Sequence, residues 1–236
     1  MALTLLHTND FHGALDQQVA DRLRDFKSDG LYLDSGDVIK AGNLGVPIRA
    51  EPAWGFLASA GCDASVLGNR ETHVLESAFQ AKIRGCRHPL LCANLRHKDG
   101  SRPLAGHLLL ERGGMRVGII AAMVPMVTEK MASRAASAYL WDPPLGVLKP
   151  MATEIRPHVE LLIALTHIGF RQDQDLARLC PELDVILGGH SHTVLETPVQ
   201  VGRTWICQGG SHGRYAGLYA WSDGELSGGL VPLKPV

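Results

Sequence analysis

Short apolar runs of strand length alternate with amphipathic stretches of helix length through the first part of the chain. Leu3 to Thr8 reads as a strand, and Leu31 to Leu33, Ser65 to Leu67 and Leu90 to Cys92 read as three more. Between them, Val19 to Ser28 places Val19, Leu23 and Phe26 on one face of a helix. Pro52 to Ala60 carries a proline near its first turn, and the helix Val74 to Arg84 is closed by Gly85. The pattern then changes. His107 to Arg112 and Met115 to Ala122, joined by Gly113-Gly114, predict a β-hairpin. Residues 123 to 146 are rich in Met, Ala and Pro without a clear period and predict a loop over one edge. A helix from Val147 to about Arg156 leads to a buried strand, Val159 to Leu165. Gln172 to Leu179 is helical and stops at Pro181, and Val185 to Leu187 is another strand. Val199 to Val201, Thr204 to Cys207 and Leu218 to Trp221 make the last part β-rich, and the Gly- and Pro-rich tail is expected to fray. Alternating β and α units followed by hairpins predict a layered α/β protein with mixed sheets between helices.

Length adds that one large domain over residues 1–236 is the simpler reading, long enough to bury a substantial core. Hydrophobic residues at 45% and charged residues at 20% exclude a disordered chain, a coiled coil and a collagen-like fibre. The 23 basic and 24 acidic residues leave a net charge of −1, with no block of like charges. Without a basic excess, neither nucleic acid nor a membrane surface is an expected partner. No apolar run approaches the ~18 residues needed to cross a bilayer. The start, Met1 to His7, lacks the basic residues, apolar stretch and cleavage site of a signal peptide. Cys62, Cys86, Cys92, Cys180 and Cys207 form no C-x-x-C pair and read as reduced thiols, so a cytoplasmic location is expected. Histidine, at 11 residues, is the value that stands out.

Five strands end in residue types that bind metals. Asn9-Asp10-Phe11-His12-Gly13 follows the first strand, Asp34-Ser35-Gly36-Asp37 the second, and Gly68-Asn69-Arg70-Glu71 the third. Thr166-His167 and Gly188-Gly189-His190-Ser191-His192 follow two later ones. Each alone is common: Asp37 after a glycine suits a helix cap, and Asn69 a left-handed turn. Their shared placement at strand ends, where α/β folds line a ligand crevice, is what carries weight. Mixed imidazole and carboxylate donors favour Mn, Zn, Fe or Co over Mg or Ca.

The ordered set resembles the calcineurin-like metallophosphoesterase superfamily. Leu6 to Gly13, with Leu33 to Asp37, Gly188 to Thr193 and the late Gln208 to Tyr215 segment, is similar to the catalytic N-terminal domain of the 5′-nucleotidase family. The resemblance, from residue 3 to about 222, implies a four-layer α/β/β/α sandwich with two mixed β-sheets. It implies two divalent transition metal ions: one held by Asp10, His12 and His192, the other by Asn69, His167 and His190, with Asp37 bridging. Two such ions about 3.5–4 Å apart can share a hydroxide and clamp a phosphoryl group. Asp34 is expected to orient a ligand or the turn. The implied activity is a phosphohydrolase acting on a small phosphate ester, with a nucleotide among the candidates.

Two departures from that pattern matter. The family's catalytic His after Asn69 is Arg70 here, and a guanidinium stabilises phosphate charge but stays protonated and cannot act as a general acid. His73, three residues on, is the candidate replacement, its alternative being a solvent-facing residue at a helix N-terminus. No C-terminal nucleotide-specificity domain like that of the two-domain relatives is expected in these residues, so nucleoside specificity is not expected to carry over. Loss of the acid favours better leaving groups, which keeps a phosphodiesterase or anhydride hydrolase in view; a catalytically inactive interaction scaffold is the rival from another class. Among the other histidines, His88, His97, His107 and His158 read as solvated or capping. His7 reads as core or as backing for a ligand, and His212, in a Gly-rich loop, is a candidate substrate contact.

Overall fold

The computed structural model describes residues 2–234. The chain opens with β1 (Leu3–Thr8), α1 (Gln17–Lys27), β2 (Leu31–Asp34), α2 (Pro52–Ser59), β3 (Ala64–Val66), α3 (Glu76–Ile83) and β4 (Leu90–Leu91). The middle holds β5 (Leu95–His97), β6 (His107–Arg112), β7 (Met115–Met123), β8 (Tyr139–Trp141), α4 (Pro144–Ile155) and β9 (Leu161–His167). The last part is α5 (Phe170–Leu179), β10 (Val185–Leu187), β11 (Val199–Val201), β12 (Thr204–Cys207), β13 (Tyr215–Ser222) and β14 (Glu225–Pro232).

Alternation along β1 sets the layering. Leu3 and Leu5 face one way into a core shared with the second sheet, while Leu6 faces the other way into a core shared with helices. The first sheet runs β14-β13-β1-β2-β3-β4 and the second β11-β12-β10-β9-β7-β6, each mixing parallel and antiparallel pairs. Leu5, Leu33 and Val66 of one meet Ile119, Ile163 and Leu187 of the other in the layer between them. Val19, Ala20 and Leu23 of α1 and Trp54 and Leu57 of α2 cover the outside of the first sheet. Leu148, Ala152 and Ile155 of α4 and Leu176 of α5 cover the second. The result is the expected four-layer α/β/β/α sandwich. Local signals agree: Asp16 caps α1 by accepting from the Val19 amide at 2.9 Å, and Pro52 starts α2.

Three expectations are corrected. Residues 123–146 are not simply a loop: β8 pairs antiparallel with β5 in a separate two-stranded sheet, and α4 starts at Pro144 rather than Val147. Strands of three residues hold too few positions to show alternation. The tail does not fray through its described length, because β14 pairs with β13 from Ser222↔Glu225 to Tyr215↔Pro232. Asp223-Gly224, both at positive φ, forms the tight hairpin turn, and Gly228-Gly229 breaks the pattern that would have marked the strand. Residues 235 and 236 lie outside the described residues. His88 and His97 are half-buried and pack on side chains rather than being solvated or capping: His88 Nε2 lies 2.7 Å from Ser65 Oγ, and the His97 and Tyr139 ring centres lie 5.0 Å apart. Among the described residues no helix is long and apolar enough to cross a membrane.

Parallel β1, β2 and β3 in one sheet and β9 and β10 in the other bring their carboxyl ends to one rim of the sandwich. Ile163→Ala, in the middle of the inter-sheet layer, should lower the unfolding free energy by about 2–5 kcal/mol in urea titration. Leu44→Ala, at a position 86% exposed, should change it by no more than about 0.5 kcal/mol. Equal small effects would mean that the layer is not the core.

Candidate metal centre

Asp10 and His12 follow β1, Asp37 follows β2, Asn69 follows β3, His167 ends β9, and His190 and His192 follow β10. The structure brings all seven side chains together. His12 Nε2 and His192 Nε2 approach to 3.0 Å and lie 3.4 and 3.3 Å from Asp10 Oδ1. On the other side, Asn69 Oδ1 lies 3.1 Å from His167 Nε2 and 2.9 Å from His190 Nδ1. Asp37 stands between, with Oδ1 3.6 Å from His167 Nε2 and Oδ2 3.9 Å from His12 Nε2. Asp10, His12 and His192 converge tightly enough to share an ion, as do Asp10, Asp37 and His167.

The donor set fits cations. His167 is fully buried, and its Nδ1–H donates to the Ser35 carbonyl at 2.6 Å. That fixes the tautomer, so in the neutral ring Nε2 is a lone pair facing the oxygens of Asp37 and Asn69. Lone pair against lone pair is stable only with a positive charge between them. Burial works to lower the His167 pKa, but the charges of Asp37 and Asp10 outweigh it and raise it, so the surroundings favour a positive charge at this position. Burial likewise pushes Asp10 up, while His12, His167, Asn9 and the His190 amide together hold it below the usual carboxylate range. The backbone carries matching strain. Asp10, His12, Asp37, His190 and His192 all adopt positive φ, between 52° and 76°, a region that bulky residues leave unless the surroundings over-determine them.

Those surroundings come from neighbouring side chains, of which the sequence assigned a supporting role only to Asp34 and His7. Glu71, fully buried, accepts from the amides of Asp37, Val38, Ile39 and Gly68 at 2.8–3.1 Å, tying the loop after β2 to the turn after β3. Gly68 is required there, since a Cβ would sit 2.3 Å from the Asp37 nitrogen. Burial and the neighbouring Asp37 push the Glu71 pKa up to about 7, against those amide donors. Ser35 joins the two sheets: its hydroxyl donates to Leu187 O at 2.8 Å and meets His7 Nε2 at 2.9 Å. His7 is thus a core residue backing the site, its pKa lowered to about 3 by burial. Asn9 Nδ2 donates to Asp10 Oδ2 (2.8 Å) and Gly210 O (2.7 Å), leaving Asp10 Oδ1 for the His12–His192 side. Gln208 bridges Asp173 and Ser191, pinning the His190–His192 loop to α5. Asp34 takes the Gly36 amide at 3.0 Å and the Thr8 hydroxyl, so it shapes the turn. Glu71, Asn9 and Gln208 stand inside the motif segments; nothing local marks what they bond.

Arg70 donates its amide to Asp37 Oδ1 at 2.7 Å and a guanidinium N–H to Lys40 O at 3.1 Å. His73 is half-buried, and its Nδ1 accepts from the Leu75 amide at 3.0 Å. It lines a small apolar cavity with Leu44, Val74, Met126 and Trp141, and its hydrogen bond does not reach the seven ligand candidates. His212 is exposed and stacks on His12 with ring centroids 5.0 Å apart.

Comparison with known proteins places this geometry. No family model matches the chain. A 5′-nucleotidase of Vibrio cholerae is 30% identical over 99% of this chain and 51% of its own length. An uncharacterized metallophosphoesterase of Bacillus subtilis is 26% identical over 91% of this chain and 49% of its own. The crystal structure of a 5′-nucleotidase precursor from Thermus thermophilus superposes with a TM-score of 0.79 at 23% identity, covering 98% of this chain and 54% of that one. The chain therefore spans about half the length of the curated relatives it matches.

A Cβ at Gly189 would lie 2.9 Å from the Ser35 carbonyl, 3.0 Å from Asp10 Oδ2 and 3.2 Å from His167 Nδ1. Gly189→Ala should therefore weaken Mn(II) uptake about 10–100-fold in a chelator competition. Gly55→Ala, with nothing near its Cβ, should leave uptake unchanged. Wild-type uptake by Gly189→Ala would show that this packing does not support the ligands.

Proposed function

We propose that this chain, which belongs to the 5′-nucleotidase family of metallophosphoesterases, hydrolyses small phosphate esters at two divalent transition metal ions. The observation that carries the reading is the convergence of four imidazoles, two carboxylates and the Asn69 amide, with His167 Nε2 committed as a lone pair facing oxygens. In this reading Asp10, His12 and His192 would hold one ion and Asn69, His167 and His190 the other, with Asp37 shared between them. Mn, Zn, Fe or Co suits this mixture of nitrogen and oxygen donors. When bound, such a pair supplies Lewis acidity and an acidified water. The chain's own residues supply the rest. Arg70, beside Asp37 at the rim, neutralises phosphate charge without giving up a proton. His73, with Nδ1 occupied, has only its Nε2–H to offer a leaving oxygen. Nucleotides are the first substrates to try, because the matched relatives are named 5′-nucleotidases. The five free thiols, four of them buried, support a reducing compartment such as the cytoplasm.

Arg70 also favours a second reading, a phosphodiester or anhydride substrate, whose leaving group departs without a proton donor.

Metal analysis after Mn(II) loading should find two ions per chain, and turnover of an aryl phosphate should vanish with chelator and return with Mn(II). Asp37→Asn should lower occupancy and nearly abolish turnover with the fold intact by circular dichroism, whereas His107→Ala, on an exposed position, should be silent. Turnover with one ion or fewer per chain would contradict the proposal. The rate should also depend steeply on the leaving group: a positioned acid is worth about 10²–10⁴-fold, so nitrophenyl esters should outrun nucleoside monophosphates by a margin of that order. Arg70→His should narrow the gap. Equal chemical-step rates on both ester types, unchanged in Arg70→His and His73→Ala, would refute the role given to position 70.

A further inference from the structure

The turn that carries Asn69 and Arg70 is fastened to the loop after β2 by two buried ions of opposite sign. Glu71 gathers backbone amides, as described above. Lys82 on α3, with no exposure to solvent, gathers backbone carbonyls: its Nζ donates to Gly42 O at 2.7 Å, Asn43 O at 3.1 Å and Arg70 O at 2.6 Å. Three acceptors use three N–H bonds, which only the ammonium form carries. Burial lowers the Lys82 pKa, against the charges of Glu71 and Asp37, and the three carbonyl acceptors hold the ammonium behind the turn.

What this ammonium holds in place is Asn43. Asn43 Oδ1 accepts from Asn69 Nδ2 at 3.0 Å. A primary amide can present either end after a half-turn, and only its oxygen can ligate a cation. While Nδ2 donates to Asn43 Oδ1, the Asn69 oxygen faces His167 and His190, at 3.1 and 2.9 Å, and reversing it without losing that bond would require both amides to turn. We propose that Asn43 and Lys82 are positioning residues that fix which end of the Asn69 side chain faces the metal centre, an inference that rests on Asn69 being a ligand. Neither residue touches the other ligand group, so their effect should fall on one ion of the two.

Calorimetric Mn(II) titration of the whole chain tests this with Asn43→Ala, Asn43→Asp and Lys82→Met. Asn43 is exposed, so its variants should keep the wild-type melting temperature. Asn43→Ala should weaken one Mn(II) about 10–100-fold and leave the other unchanged. Asn43→Asp keeps the acceptor and should bind both ions at or above wild-type affinity. Lys82→Met should weaken the same ion as Asn43→Ala; if that variant unfolds, the Asn43 pair decides. Wild-type binding of both ions by Asn43→Ala, equal weakening of both, or failure of Asn43→Asp to restore the weaker ion would overturn the inference while leaving the proposed function standing. A wild-type chain that takes up fewer than two ions would remove the proposed function and this inference together.

Discussion

Electron pairs facing one another at close range are the constraint on which this structure depends. Asp10, Asp37, Asn69 and four imidazoles point their acceptor atoms into one small volume where the two sheets meet. Left alone they would repel or turn away. Three of these groups are held by bonds on their outer side: Asp10 Oδ2 to Asn9 and the His190 amide, His167 Nδ1 to Ser35, Asn69 Nδ2 to Asn43. The left-handed backbone at five of the seven positions belongs to the same account. It is strain that a bound cation would offset, and strain of this kind gathers where function requires it.

The four-layer fold makes the constraint affordable. Loops at the ends of five parallel strands inherit the rigidity of two sheets, and the apolar layer between those sheets sets how closely the two sets of loops approach. Ser35 shows the coupling in one residue. It leaves β2, donates to β10 through Leu187, receives the imidazole at the end of β9, and contacts His7 of β1. A shift of one sheet against the other would break these contacts together, so packing and site geometry are one property.

Much of this was legible in the sequence. The strands that carry the site and the layered architecture could be read from periodicity, and the motif segments stood out because sharp turns at strand ends need glycine (Gly13, Gly36, Gly68, Gly188 and Gly189). The set of seven ligand candidates within them came from the resemblance to the family. What could not be read has a common cause. Lys82 lies on a short helix where nothing local marks a lysine for burial, yet it is buried because a loop 39 residues upstream folds over it. Its role, like that of Gln208, follows from partners far away in sequence. The small sheet of β5 and β8 escaped for a different reason, as each strand is too short to show a period. Position 70 was legible in identity, and in the proposed function it is the point on which substrate choice would turn, since a guanidinium cannot supply the proton that alkyl leaving groups need.

The central claim is that the rim where the two sheets meet binds two ions side by side. Anomalous diffraction from crystals of the Mn-loaded protein tests it most directly. The account predicts two peaks about 3.5–4 Å apart, one among Asp10, His12 and His192, the other among Asn69, His167 and His190, with the Asp37 carboxylate between them. A single peak, or two peaks that do not share Asp37, would contradict it.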